Sequence, residues 1–462
     1  MASNDLLTTR YGAALPPGPE KCALEQNQQS RARKGAVEFD IDLILTRSPA
    51  HPTVLAARLS RGNPLQPMPY KSIRDLDLAG KRVFIRVDFN VPLDETGTRI
   101  SSDTRIRAAL PTIKLALEKG AALVLASHLG RPKGKPNPKM QFDPVAARLA
   151  ELLGRDVKKA PDSVGREVGR LASQLSSGEV LLLENLRFHC GEETNDSNIS
   201  EQLAGLCVVY INDAFGAAHR AHASTAGMVG LVPQVAAGLL MEKELKFLSM
   251  AVSNPERPYV AIVGGAKISG KIDVLRSFLR IADKVLIGGA MTYTFLKAQG
   301  VAIGSSLVED DKLGVAREAI EQGGDKLQLP IDHVIAQDLA ADAATKIVDG
   351  TSEPIPAGWK GLDIGPKTIA AYREAISGAR MIVWNGPMGV FEIEPFAAGT
   401  LAVAHAVADS AATSIVGGGD SEKAIKTAGV SDQMTHISTG GGASLEFLAG
   451  KKLPGVEALG GL

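Results

Sequence analysis

The strongest constraint on this chain is an order of segments that runs once and then starts again. From Arg82, "RVFIRVDF" reads as a buried strand, because its valine, isoleucine and phenylalanine suit a pleated surface covered on both sides. "DTRIRAALPTIKLALEKG" follows with helical spacing and a closing glycine, and "AALVLAS" is the next strand. "EVLLLEN" and "LCVVYINDAF" continue the series. After a helical stretch, "LLMEKELKFLSMAV", the order restarts with "YVAIVGG", "KIDVLRSFLRIA", "KVLIGG", "HVIAQD", "MIVWNGP" and "TSIVGGG". Short apolar strands that alternate with helices predict parallel sheets covered on both faces.

The expected fold class is α/β, with two doubly wound parallel-sheet (Rossmann-like) domains joined by a hinge helix. A chain of 462 residues is also too long for one compact core. The expected divisions are 68–236 for the first domain, 237–256 for the hinge helix and 257–448 for the second domain. The last residues, 449–462, are expected to return to the first. Residues 1–67 differ in kind: prolines at 16, 17 and 19, a polar run "EQNQQSRARKG" and no sustained periodicity. They are expected to be a disordered extension or to precede a true start at Met68.

Composition excludes several classes. Lys+Arg and Asp+Glu balance at 51 each, which argues against a nucleic-acid coat or a membrane patch. No apolar run reaches membrane-spanning length. Three scattered cysteines cannot frame a disulfide scaffold, and a reducing cytoplasm is the expected location.

Open α/β sheets bind ligands beyond the carboxyl ends of their strands. In the first series those turns read "RVDFN" (Arg86, Asp88, Asn90), "SHLGRP" (His128, Arg131), "ENLRFH" (Arg187) and "NDAFGAAHRAH" (His219, Arg220, His222), while Arg105 opens the first helix. A lone arginine at a strand end is more often a surface ion pair of little worth. Asp88 and Asn90 could merely shape a turn, and the histidines lack the partner spacing of a metal site. Five arginines at such ends point instead to a multiply charged small anion, which the planar guanidinium fork grips well.

The second series ends in glycine turns. "GGAKISGK" places Gly265, Gly270 and Lys271 in register with the phosphate loop G-x-x-x-x-G-K-[ST], but Ile272 stands where that loop needs a hydroxyl for Mg²⁺. "GGAM", "GLDIGP", "WNGPMGVFE", "GGGDSEKAI" and "STGGGAS" follow. One such turn would be an ordinary strand–helix connection; six in one domain let backbone N–H groups approach phosphates and an adenine face. With a helix starting near Ser269, Lys267 and Lys271 would both point to one phosphate chain. Metal binding is then expected elsewhere, at Asp420.

"RVDFNVP", "SHLGRP", "LLLENLRFH", "NDAFGAAHRAH", "GGAKISGKI", "VWNGPMGVFE", "GGGDS" and "STGGGASLEFLAGKKLPGV" together resemble the phosphoglycerate kinase family, in that family's order, from about 70 to 456. The resemblance implies reversible transfer of a phosphoryl group from 1,3-bisphosphoglycerate to ADP, giving 3-phosphoglycerate and ATP. It implies Mg²⁺ as cofactor, ATP/ADP as cosubstrate, and a cytoplasmic monomer without nucleic-acid or membrane partners. Residue by residue, it implies a phosphoglycerate site at Asp88, Phe89, Asn90, Arg105, His128, Leu129, Gly130, Arg131, Arg187 and Arg220. Lys267 and Lys271 would take the moving group and the nucleotide phosphates, with Gly289, Gly361 and Leu362 at adenine. Asn385 would meet phosphate and Glu392 ribose. Gly418, Gly419, Asp420 and Ser421 would form the phosphate and metal turn, Ser421 standing where many members have threonine. Arg105, Lys267, Gly441 and Gly442 would carry catalysis, the glycines through amides at a helix start.

Two other readings compete. A nicotinamide-dependent dehydrogenase would need G-x-G-x-x-G after the first strand, which "RVDFNVPLDETG" lacks. A non-catalytic nucleotide-binding protein would be favoured by loss of Arg105, Lys267 or Asp420, and all three are present.

Overall fold

The computed structural model describes residues 70–350 and 353–460, so the reading of 1–67 lies outside the described residues. The first sheet contains β1 (Arg82–Arg86), β2 (Ala122–Ala126), β3 (Lys158–Lys159), β4 (Val180–Leu182), β5 (Val209–Asn212) and β6 (Gln234–Ala237). They lie in the order β3-β4-β2-β1-β5-β6, all parallel. The chain builds outward from β1 to one side and then returns to build on the other, which opens a crevice beyond the ends of β1 and β5.

The second sheet repeats the plan. It uses β7 (Tyr259–Val263), β8 (Lys284–Ile287) and β9 (Leu327–Gln328), and its order is completed by β13 (Met381–Asn385), β14 (Thr413–Gly417) and β15 (His436–Ser438). The order β15-β14-β13-β7-β8-β9 places its switch between β7 and β13. Between these runs, β10 (Asp332–Ala336), β11 (Lys346–Asp349) and β12 (Lys360–Ile364) form a separate sheet, antiparallel throughout. This corrects the reading of "HVIAQD" as a member of the parallel series and of "GLDIGP" as a turn alone. An apolar run of that length reads the same whether its partner is parallel or antiparallel.

The helix expected as a hinge spans Leu239–Ser253 between the two sheets, and its Met241, Leu245, Leu248 and Ala251 are buried. They join one hydrophobic cluster with Phe84 and Tyr210 of the first sheet and Tyr259 and Val263 of the second. The opposite faces close separately: Val83 and Ile85 pack in one cluster, Val260 and Ile262 in another. Neighbouring residues on a strand thus point to different cores, as the two-residue period requires. At the carboxyl end, the helix Pro454–Gly460 buries Val456 and Leu459 in the shared cluster. Its Gly455 N donates to Ala218 O at 2.8 Å, and Gly455 O accepts from Asn212 Nδ2 at 3.2 Å, which ties the chain end to the first domain.

Candidate active site

Beyond β1, Arg86 is wholly buried and fully engaged: Nε donates to Ser224 Oγ at 2.8 Å, Nη1 to Val87 O at 2.5 Å, and Nη2 meets His128 Nδ1 at 3.3 Å. Burial, with the charges of Arg86 and Arg187 next, pushes the His128 imidazolium well below its ordinary pKa, so the ring is neutral. Two residues on, the Asp88 carboxylate accepts from Arg105 Nη1 at 3.1 and 2.9 Å, which holds that guanidinium at the domain edge. Asn90 Oδ1 accepts from Gly130 N at 2.9 Å, and Arg187 Nη1 donates to Gly130 O at 2.8 Å. The "RVDFN", "SHLGRP" and "ENLRFH" turns are therefore one hydrogen-bonded surface. Phe89 and Leu129 face the core, and their backbone amides donate to Ser127 Oγ at 2.8 Å and Asn185 Oδ1 at 3.1 Å, so both residues brace the turns from within.

Arg187 is nearly buried, and the loss of hydration pulls its guanidinium down to about 10. Its Nε lies 3.1 Å from Glu193 Oε1 without hydrogen-bond alignment, leaving a buried N–H unsatisfied. Such a donor costs free energy until an acceptor arrives, and an anionic ligand would supply one. Arg220 Nε donates to His219 Nε2 at 3.1 Å, and burial followed by the Arg220 charge lowers His219 to about 4. Arg131 is exposed.

On the second domain, the helix begins at Ile272 rather than near Ser269, so Lys267 and Lys271 both stand in the loop before it. Lys267 is exposed. Lys271 turns inward: its Nζ donates to Gly264 O at 2.5 Å and Asn385 O at 3.0 Å. Those carbonyls end β7 and β13, the strands that flank the switch. Burial lowers this ammonium to about 8, against the opposing pull of Asp420. The two lysines, expected to converge on one phosphate chain, have different surroundings.

The glycine turns are packed against one another. Gly289 has φ +69°, and a Cβ there would overlap the backbone of Gly265. Asn385 Nδ2 donates to Gly417 O at 2.8 Å, and Gly386 N donates to Ser421 Oγ at 2.6 Å. The serine hydroxyl, expected at the phosphate and metal turn, is occupied in bracing it. Gly418, with φ +95°, leads into the helix Gly419–Thr427, where Asp420 is exposed in the first turn. Among the described residues no three or more histidine, cysteine or acidic groups gather as a metal cluster. Gly361 N donates to Ser306 Oγ at 2.9 Å beside buried Leu362. Glu392 pairs with Lys423 at 3.3 Å.

Between the domains lies a cavity of about 180 Å³. Pro92, Ser102, Thr104 and Arg105 line it from the first domain; Gly419, Glu422, Ser438, Thr439 and Gly441 from the second. Arg105, Gly419 and Gly441 are thus brought to one cleft. His128, Arg187, Arg220, Lys267 and Lys271 are not part of its lining.

Sequence reasoning missed two buried groups. Glu244 in the hinge helix accepts from Thr439 N at 2.7 Å, Thr439 Oγ1 at 3.0 Å and His436 Nε2 at 2.9 Å. Glu192 holds Ser224 from inside the first domain. Neither carried a signal, since an acid within a mixed helical stretch usually reads as a solvated face.

Arg105 set across a cleft from the glycine turns at Gly419 and Gly441 suits transfer of a phosphoryl group between two anions, and the class so defined is that of two-domain α/β phosphotransferases. The chain belongs to the phosphoglycerate kinase family, whose profile matches residues 73–451. The phosphoglycerate kinase of Solibacter usitatus is 62% identical over 395 residues, covering 85% of this chain and 100% of that protein. That of Acidobacterium capsulatum is 59% identical over 398 residues, covering 84% and 98%. The solved phosphoglycerate kinase structure from Coxiella burnetii superposes with a TM-score of 0.77 at 42% identity, covering 85% of this chain and 99% of that one.

Proposed function

We propose that this chain catalyses reversible phosphoryl transfer from 1,3-bisphosphoglycerate to ADP, giving 3-phosphoglycerate and ATP. The observation that carries the reading is a cleft lined by Arg105 from one domain and by Gly419 and Gly441 from the other. Both acceptors, a carboxylate and a phosphate oxygen, are already ionised, so no general base is needed. The work is to bring two repelling anions into line and to neutralise the oxygens of the group in transit.

In this reading His128, Arg131, Arg187 and Arg220 bind the phosphoglycerate, with Asp88 and Asn90 shaping the surface around them. Lys271, Gly289, Gly361, Leu362, Asn385 and Glu392 surround the nucleotide. Arg105, exposed Lys267 and the amides of Gly441 and Gly442 meet the transferring group. Mg²⁺ binds through few protein carboxylates plus substrate phosphates, and exposed Asp420 fits that donor set. When bound, the ion supplies charge neutralisation on the nucleotide. We read the enzyme as a cytoplasmic monomer, a location that suits free Cys190 and Cys207.

The test is a coupled assay of ATP formation from 1,3-bisphosphoglycerate and ADP by the full chain. Saturable turnover is expected. Nucleotide binding without turnover would favour a non-catalytic binding protein.

A further inference from the structure

Arg86 and Glu192 are both wholly buried, yet they do not touch. A serine joins them. Arg86 Nε donates to Ser224 Oγ at 2.8 Å, and Ser224 Oγ donates to Glu192 Oε1 at 2.6 Å. A hydroxyl has one proton to give, so accepting from the guanidinium commits that proton to the carboxylate. Glu192 Oε2 also accepts from Ser224 N at 3.0 Å, which fixes the serine at both ends. Tyr210 Oη donates to Ser224 O at 2.9 Å and closes the remaining side.

The far end of the chain reaches a ring. Arg86 Nη2 lies 3.3 Å from His128 Nδ1, and a guanidinium has no acceptor to offer. His128 Nδ1 must therefore carry the lone pair, which leaves the proton of the neutral ring on Nε2. Four groups in series thus connect a buried acid to the tautomer of a histidine on the anion-binding surface. Glu192 Oε1 is in addition 3.7 Å from His222 Nδ1.

We propose that Glu192 is a positioning residue for the phosphoglycerate face: through Ser224 and Arg86 it holds His128 with Nδ1 unprotonated and Nε2–H free to donate to the acid substrate. The substrate half of this statement rests on the function proposed above; the tautomer half does not. A buried arginine needs a compensating charge, and the bridge lets Glu192 supply it without occupying the donors that face His128.

The test uses Glu192→Gln and Ser224→Ala in the full chain, with histidine ring nitrogens read by long-range ¹H–¹⁵N correlation near neutral pH. His128 is assigned by its loss in His128→Gln. Wild type is expected to show the Nε2–H form alone. Each variant is expected to show the Nδ1–H form as well, and to raise the KM for 3-phosphoglycerate about tenfold while the ATP KM stays within about twofold. A wild-type ring protonated on Nδ1 would overturn the proposal, as would unchanged ring spectra and unchanged KM in both variants. Should Glu192→Gln fail to fold, Ser224→Ala decides alone, since it keeps the carboxylate and removes only the bridging hydroxyl. A wild type that does not bind 3-phosphoglycerate in calorimetry would defeat the functional reading, while the ring spectra would still judge the tautomer.

Discussion

Glu244 of the hinge helix holds Thr439 twice, accepting from its backbone N at 2.7 Å and its hydroxyl at 3.0 Å. Thr439 immediately precedes Gly440–Gly442, so the hinge is fastened to the turn that faces Arg105 across the cleft. His436, stacked on Phe247 at 4.7 Å, donates to the same carboxylate. The helix is therefore joined to the glycine turn by hydrogen bonds as well as through the core. Removing the carboxylate leaves buried donors unpaired, at a cost of about 1–3 kcal/mol for each donor so stranded. Glu244→Ala is expected to unfold at lower denaturant and to lower kcat more than either substrate KM. Urea titration with steady-state kinetics checks both; an unchanged midpoint would show that the contact contributes nothing.

Lys267 and Lys271 are four residues apart, but only Lys271 braces backbone. Lys267→Ala is expected to leave the melting temperature near that of wild type and to lower kcat strongly, since its proposed partner is the group in flight. Lys271→Ala removes the bonds to Gly264 O and Asn385 O and is expected to lower the melting temperature and raise the nucleotide KM. Equal melting temperatures and matching kinetics for the two variants would defeat this division.

Asp213 is buried at the start of the hinge helix and accepts from Leu240 N at 2.9 Å. Burial pushes its carboxyl from 3.8 up to about 7. Between those values the native state holds a proton that the unfolded chain has released. Stability therefore falls as pH rises through this window, by about 1.4 kcal/mol per unit for one such group, and is flat above it. His219, lowered to about 4, acts in the opposite sense: the unfolded chain holds the extra proton up to 6.5, and stability rises with pH. Because these terms offset in the wild type, the informative quantity is the difference from Asp213→Asn. The variant should gain stability relative to wild type between about pH 4 and pH 7. Parallel pH profiles from chemical denaturation would contradict the assignment.

Gly289→Ala would place a methyl group against the Gly265 backbone at a positive φ. Main chain cannot move aside cheaply, so the "GGAKISGK" turn must shift, with a loss of about 1–3 kcal/mol. The nucleotide KM should rise while 3-phosphoglycerate binding is unaffected. Isothermal titration with each substrate separates the two, and equal weakening of both would indicate general misfolding.

The doubly wound plan was legible because its strands are continuous apolar runs, as in "YVAIVGG", and because Gly and Arg collect where those strands end. The long helix near 237–256 was legible from "LLMEKELKFLSMAV" and is seen as Leu239–Ser253. What escaped notice depends on partners distant in the chain. Glu244 meets Thr439 across 195 residues, and no local pattern distinguishes it from Glu242 beside it. Glu192 likewise reads as one of two adjacent acids, although it is buried while Glu193 is partly exposed. The helix starts at Ile272 rather than near Ser269, whose backbone N donates to Glu309 Oε2 at 3.1 Å, a partner 40 residues away.

The central claim is that Arg105 neutralises the transferring group across the cleft while the buried Arg187 holds the part of the substrate that does not react. The most direct measurement is kcat for Arg105→Ala at saturating substrates, with calorimetric binding of 3-phosphoglycerate on the same protein. The account predicts measurable binding with kcat lowered roughly 10²-fold or more, as for other donors that act on developing charge. Arg187→Ala, measured alongside, should keep much more of its turnover and lose mainly affinity. An Arg105→Ala protein with near-normal kcat would contradict the account.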